Sequence, residues 1–194
     1  YDSNLTLAGA DDQIERSDED GVEGSLEIGG NLRLLSWKGL TLRTGIDTYV
    51  TYHNKEHSFD IQQVRPWFLT TYQPLEWLAF DVRYSHERLW RNYHSFKGAH
   101  HVQPAIRLRP APGFITKLFW DYETRNYNDA FEIIPTRDRD GQVQRLGIDQ
   151  YFPLPNPLSD GVAYLRLGYR HRIESANGHH FDSWGHKPLV TLGV

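Results

Sequence analysis

Two-residue alternation runs through most of the chain, and one of its two parities carries hardly any charge. In W-L-A-F-D-V-R-Y-S-H-E, Trp77 to Glu87, the residues Leu78, Phe80, Val82 and Tyr84 fall on one side, while Ala79, Asp81, Arg83 and Ser85 fall on the other. Period two is the signature of a β-strand, whose successive side chains point to opposite faces. A chain patterned this way must lay its apolar parity against something, either a protein core or lipid.

The pattern predicts strands over residues 2–8, 23–37, 39–53, 58–72, 76–91, 100–110, 113–127, 142–153, 161–175 and 186–194, with almost nothing that reads as an amphipathic helix. Most segments run about 11–15 residues, against the usual five or six of soluble sheets. That is enough for a tilted strand to cross a bilayer. The connectors sort into two kinds. Short or proline-bearing ones (Lys38, Gln73 to Leu75, Pro110 to Pro112, Leu154 to Gly161) alternate with more polar and mostly longer ones (Ala10 to Val22, His94 to Gly98, Asn128 to Gly141, Ser175 to Trp184). Short turns at one end and long loops at the other are the habit of outer-membrane barrels.

No linker or composition break divides the 194 residues, so a single domain over 1–194 is expected. A net charge of −4 suggests no nucleic-acid partner. Mean hydropathy is −0.62, and no run approaches the ~18 apolar residues of a spanning helix. Cysteine is absent, which excludes disulfides and thiolate metal sites and suits an exported protein. Methionine is absent as well, so the sequence is expected to be a mature product after signal removal or a piece of a longer protein.

The apolar parity collects Leu26, Ile28, Leu32 and Leu34, then Leu40, Leu42, Ile46 and Val50, then Val64 and Phe68, and continues so to Leu165 and Leu167. Four segments end this parity in tyrosine, at Tyr52, Tyr84, Tyr122 and Tyr169, and Trp37 and Trp77 stand near the opposite ends. Tyrosine and tryptophan suit a membrane interface because each joins an apolar ring to a polar tip. General enrichment of aromatics in strands is the alternative. These six residues are the expected aromatic girdles.

The other parity holds Arg33, Arg43, Asp47, Arg65, Asp81, Arg83, Arg107, Arg109, Lys117, Asp121, Glu123, Arg125, Arg145, Asp149, Arg166 and Arg170, the expected lumen lining, together with Glu27, Glu87 and Arg172. Twelve cations against seven acids leave a surplus of five on a chain of net charge −4. Such a lumen would attract anions through its focused potential. Alternatively, the charges neutralise one another in ladders across neighbouring strands, filling a small barrel with its own side chains.

All ten histidines fall near the ends assigned to the outside, with His100, His101, His179 and His180 the candidates for a metal. No spacing among them matches a known ligand set, and solvated loop is the simpler reading. Ser85, His86 and Glu87 alternate faces on one strand and cannot form a triad. Asp138 and Asp140, in R-D-R-D-G, lack the full spacing of a calcium loop. Neither an enzyme nor a cofactor is expected.

"YDSNLTL" (1–7), followed by an acidic Ser/Asp loop and a long strand, and "YETRNYNDAFEIIPTRDRDGQVQRLGIDQYF" (122–152) resemble the C-terminal barrels that follow tetratricopeptide repeats in Gram-negative outer-membrane proteins. The surface-lipoprotein assembly modifiers are one such family. The resemblance covers most of the chain, through degenerate motifs. It implies a barrel that serves export of lipoproteins to the cell surface, or of polysaccharide in related proteins. Here no repeat domain is present, and Tyr1 begins abruptly in an expected strand.

Together these readings give an all-β chain: a transmembrane antiparallel up-and-down β-barrel of about ten strands, or part of a larger one, in the outer membrane of a Gram-negative bacterium. Both termini are expected in the periplasm. The expected function is a transport or export barrel for an anionic or polar passenger. The expected surroundings are outer-membrane lipid and lipopolysaccharide, with a cell-surface protein as a further partner. The competing expectation is a closed structural barrel whose His-rich, acidic loops bind a surface partner or metal, and a third is a soluble β-sandwich binding module.

Overall fold

The computed structural model describes residues 4–7, 23–53, 60–128, 139–154, 163–178 and 182–193, with backbone alone for 4–7, 23, 24 and 53. All regular structure in it is strand: β1 (Asn4–Leu7), β2 (Glu23–Trp37), β3 (Leu40–His53), β4 (Ile61–Leu75), β5 (Leu78–Arg91), β6 (His94–Ala111), β7 (Phe114–Tyr127), β8 (Gly141–Leu154), β9 (Ala163–Ala176) and β10 (Ser183–Gly193). They form a single ten-stranded sheet in sequence order, each strand hydrogen-bonded antiparallel to the next. Among the described residues β1 pairs only with β2 and β10 only with β9, so the sheet has two edges and no closing ladder. Its first edge is four residues long and its last is eleven, lengths that do not match.

Tight turns are set by backbone chirality. Lys38 (φ 43°) and Gly39 (φ 81°) join β2 to β3 in two left-handed residues, and Asn92 (φ 47°) and Tyr93 (φ 63°) join β5 to β6 in the same way. Two consecutive positive φ angles make the turn whose twist matches that of the flanking strands. The β5–β6 connection therefore departs from the long polar loop expected at His94 to Gly98. Those residues belong to β6, at 18 residues the longest strand. Their composition imitates a loop because Phe96 is the one large apolar residue among them. Glu76-Trp77 and Pro112-Gly113 are also two-residue turns, whereas most of the expected long loops and the segment 155–162 lie outside the described residues.

Register fixes which side chains share a face. A β-bulge between Arg33 and Leu35 shifts β2 so that Leu35 opposes Leu42 and Trp37 opposes Leu40. Leu34, expected on the apolar face by simple parity, is the inserted residue. From Leu40 the pairing continues to Tyr72, Phe80, Ile106, Leu118, Ile148 and Tyr169. One row perpendicular to the strands thus starts at Trp37, at the turn end of β2, and reaches Tyr169 well along β9.

Burial follows the same parity, inverted with respect to a water-soluble sheet. On β5 Ala79, Asp81, Ser85 and Glu87 are buried, while Phe80, Val82 and Tyr84 are exposed. Over the sheet the exposed large apolar residues include Ile28, Ile46, Phe68, Ile106, Leu118, Trp120, Leu146, Ile148, Val190 and Leu192. Glu123 and Asp149 are each 2% exposed and Val143 is 0% exposed. A flat single sheet leaves both faces open, so this burial requires curling with the charged face concave. Ion pairs span the concave side two strands apart: Arg83 on β5 reaches Asp47 on β3 at 3.3 Å, and Arg125 on β7 reaches Glu174 on β9 at 2.7 Å. Glycines make room there. A Cβ on Gly45 would stand 2.5 Å from the Trp67 ring, and one on Gly168 would stand 2.6 Å from Asp149 Oδ1.

Candidate functional site: a charged concave face

Alternation delivers every Lys, Arg, Asp and Glu of the described strands but one to the concave side, where the enclosed ones are paired with opposite charges. The most enclosed carboxylate is Glu123 on β7. It accepts hydrogen bonds from Lys97 Nζ at 3.2 Å, Arg125 Nε at 2.5 Å and Arg145 at 2.7 Å. Lys97 also donates to Glu87 at 2.9 Å, and Arg145 to Asp121 at 2.8 Å. His101 stands between Glu87 and Glu123, with ring nitrogens 3.7 Å and 3.8 Å from their oxygens. Beyond it Arg125 and Arg172 share Glu174.

Two further carboxylates each serve a pair of arginines. Asp47 receives Arg65 at 3.2 Å and Arg83 at 3.3 Å, and Trp67 Nε1 donates to its other oxygen at 3.2 Å. Asp149 holds Arg166 at 2.7 Å, with Arg170 at 3.9 Å. Asp81 is bound by Arg107 through two nitrogens, at 2.5 Å and 2.8 Å, and by the Thr71 hydroxyl at 2.6 Å. Phe119 fills the middle, with Lys117 Nζ 5.4 Å and the Arg170 guanidinium 5.5 Å from its ring centre. Such stacking offsets part of the cost of crowding like charges.

Fifteen of the sixteen residues expected to line a lumen share this face by register, and Arg109 follows by alternation from Arg107. They do not form one cluster. Arg33 and Arg43 oppose one another near the β2–β3 turn, and Arg107 opposes Lys117. Arg109 lies towards the end of β6. Lys97, Glu174 and Lys187 join the face beside them, since they pair with Leu89, Val143 and Arg170. Lys97 lies within the expected loop His94 to Gly98, and only the position of the β5–β6 turn brings it onto this face. Trp67 and Phe119 reveal themselves only as aromatics on the charged parity.

The expected girdle residues Trp37, Trp77, Tyr52, Tyr84, Tyr122 and Tyr169 stand on the apolar side or in its turns; the first four are more than a third exposed, as is Tyr169. His100 and His101 point to opposite faces and cannot share an ion. His100 instead hydrogen-bonds Tyr84 at 2.8 Å and packs 4.5 Å from the His86 ring. His179, His180 and Asp138 lie outside the described residues. Among those described, no three His, Asp or Glu residues are grouped to hold a metal. Asp140 accepts hydrogen bonds from the Tyr127 N–H at 2.6 Å and the Asn126 amide at 3.0 Å, which ties β7 to the start of β8.

The arrangement offers a basic, side-chain-filled inner surface under an apolar exterior. No protein-family model, curated protein or solved structure matches the chain.

Proposed function

We propose that the chain forms the wall of an outer-membrane β-barrel in a Gram-negative bacterium, and that its basic concave face conducts an anionic or polar passenger. The inverted burial carries this reading. An exterior of leucine, isoleucine, valine and aromatic side chains around buried aspartate and glutamate is costly in water and favourable in hydrocarbon, where a charge on the lipid face at midplane costs about 2–4 kcal/mol. The row from Trp37 to Tyr169 supports it further. Both aromatic belts can lie at the membrane surfaces only if the strands tilt and stagger, as a closing barrel demands. Closure then comes from the β1 and β10 edges meeting each other or further strands.

The anionic character of the passenger rests on the cation surplus. Glu123 is shared by three cations, and Asp47 and Asp149 by two each. The resemblance to repeat-associated export barrels agrees with a surface lipoprotein or polysaccharide as passenger. Single-channel recording in planar bilayers tests the reading, with anion-selective steps expected. Cation selectivity overturns the passenger assignment, and absence of conductance favours a closed barrel that acts through its outer loops.

A further inference from the structure

On the described strands, Arg88 is the single Lys, Arg, Asp or Glu residue whose register places it on the apolar side. It is exposed, on β5, opposite Gly98. A Cβ on Gly98 would lie 3.3 Å from the guanidinium, so the glycine leaves room for it. The same side of β5 reads Phe80, Val82, Tyr84, His86, Arg88, a climb from apolar through amphipathic to cationic. Next to its apolar end the surface dips into a depression of about 610 Å³ lined by Phe80, Val82, Ile106, Leu118, Trp120 and Ile148.

We infer that Arg88 binds the phosphate of an outer-leaflet phospholipid or phosphorylated glycolipid whose acyl chain lies in this depression. The inference rests on the membrane reading above and adds an occupant to its outer surface. With Tyr84 in the outer aromatic belt, four residues of strand separate it from Arg88, about 13 Å. A strand tilt near 40° turns that into about 10 Å of depth, which carries Arg88 among the headgroups, with the phosphate level within reach of its long side chain. A lone cation on a face otherwise free of charge complements an anionic headgroup, and a guanidinium meets phosphate through two parallel hydrogen bonds. The Tyr84 hydroxyl and the His86 and His100 rings just below supply the polar shelf on which a headgroup rests.

Nanodiscs of phosphatidylcholine carrying a small fraction of phosphatidic acid provide the test, with the lipid retained on the released protein counted by native mass spectrometry. The wild type is expected to enrich phosphatidic acid over phosphatidylcholine. Arg88→Gln is expected to lose roughly tenfold of that preference, Arg88→Lys to keep part of it, and Arg109→Gln on the concave face to keep all of it. Equal enrichment by wild type and Arg88→Gln overturns the site while leaving the barrel intact. Failure of the wild type to enter nanodiscs overturns the membrane reading and the site with it.

Discussion

The ring of Phe119 occupies the space that a side chain at Gly147 would need. The two residues oppose one another across β7 and β8, and a Cβ on Gly147 would stand 2.2 Å from Phe119 Cζ. Phe119 is buried on the charged face between Lys117 and Arg170, so it has little freedom to yield. Gly147→Val is expected to destabilise the protein by about 1–3 kcal/mol through overpacking, and a companion Phe119→Ala to recover part of the loss. Urea unfolding in detergent micelles reads both, and an unchanged midpoint for Gly147→Val contradicts the packing.

Glu123 neutralises Lys97, Arg125 and Arg145 in a nearly closed space. Glu123→Gln removes the carboxylate these three cations share and leaves Lys97 with Glu87, Arg125 with Glu174 and Arg145 with Asp121, so it is expected to cost about 1–3 kcal/mol. Adding Lys97→Met should return part of this. If the single variant unfolds like wild type, the network contributes nothing to stability.

Tyr93 adopts φ 63° in the β5–β6 turn, where a side chain is strained and glycine is not. Tyr93→Gly completes an Asn-Gly turn and is expected to stabilise the hairpin by up to about 1 kcal/mol. A lower unfolding midpoint would show that the ring makes a compensating contact.

Lys117 and Arg109 form no ion pair within 4 Å among the described residues; the Lys117 amine instead lies 3.5 Å from Gln103. They are therefore natural sources of the basic potential. Replacing both with glutamine is expected to lower the anion-to-cation permeability ratio severalfold without changing unfolding. Reversal potentials in a salt gradient measure it, and an unaltered ratio places the selectivity elsewhere.

The strands were legible because alternation is long-range and redundant. A dozen residues of consistent parity outweigh any single exception, and the observed bounds of β2, β3, β5, β7 and β8 fall within two residues of those expected. The β5–β6 turn was obscured because Tyr93 hides a position that favours glycine, which also moved Lys97 out of its face. Leu34 was misplaced because a bulge is one extra residue with no mark of its own in the sequence. The concave face was legible as a list of charges. Which carboxylate serves which cation was not, since Arg83–Asp47 and Arg125–Glu174 each cross an intervening strand and depend on curvature that parity does not encode.

The decisive measurement uses the absence of cysteine, which allows single-cysteine spin labels from Leu78 to Glu87 without background. With the protein in bilayers, a lipid-facing apolar side predicts high oxygen accessibility at 78, 80, 82 and 84, deepest at Phe80, with low values at 79, 81, 83 and 85. Accessibility to a water-soluble relaxant at 80 and 82 equal to that in free solution, or a reversed alternation, would contradict a membrane wall.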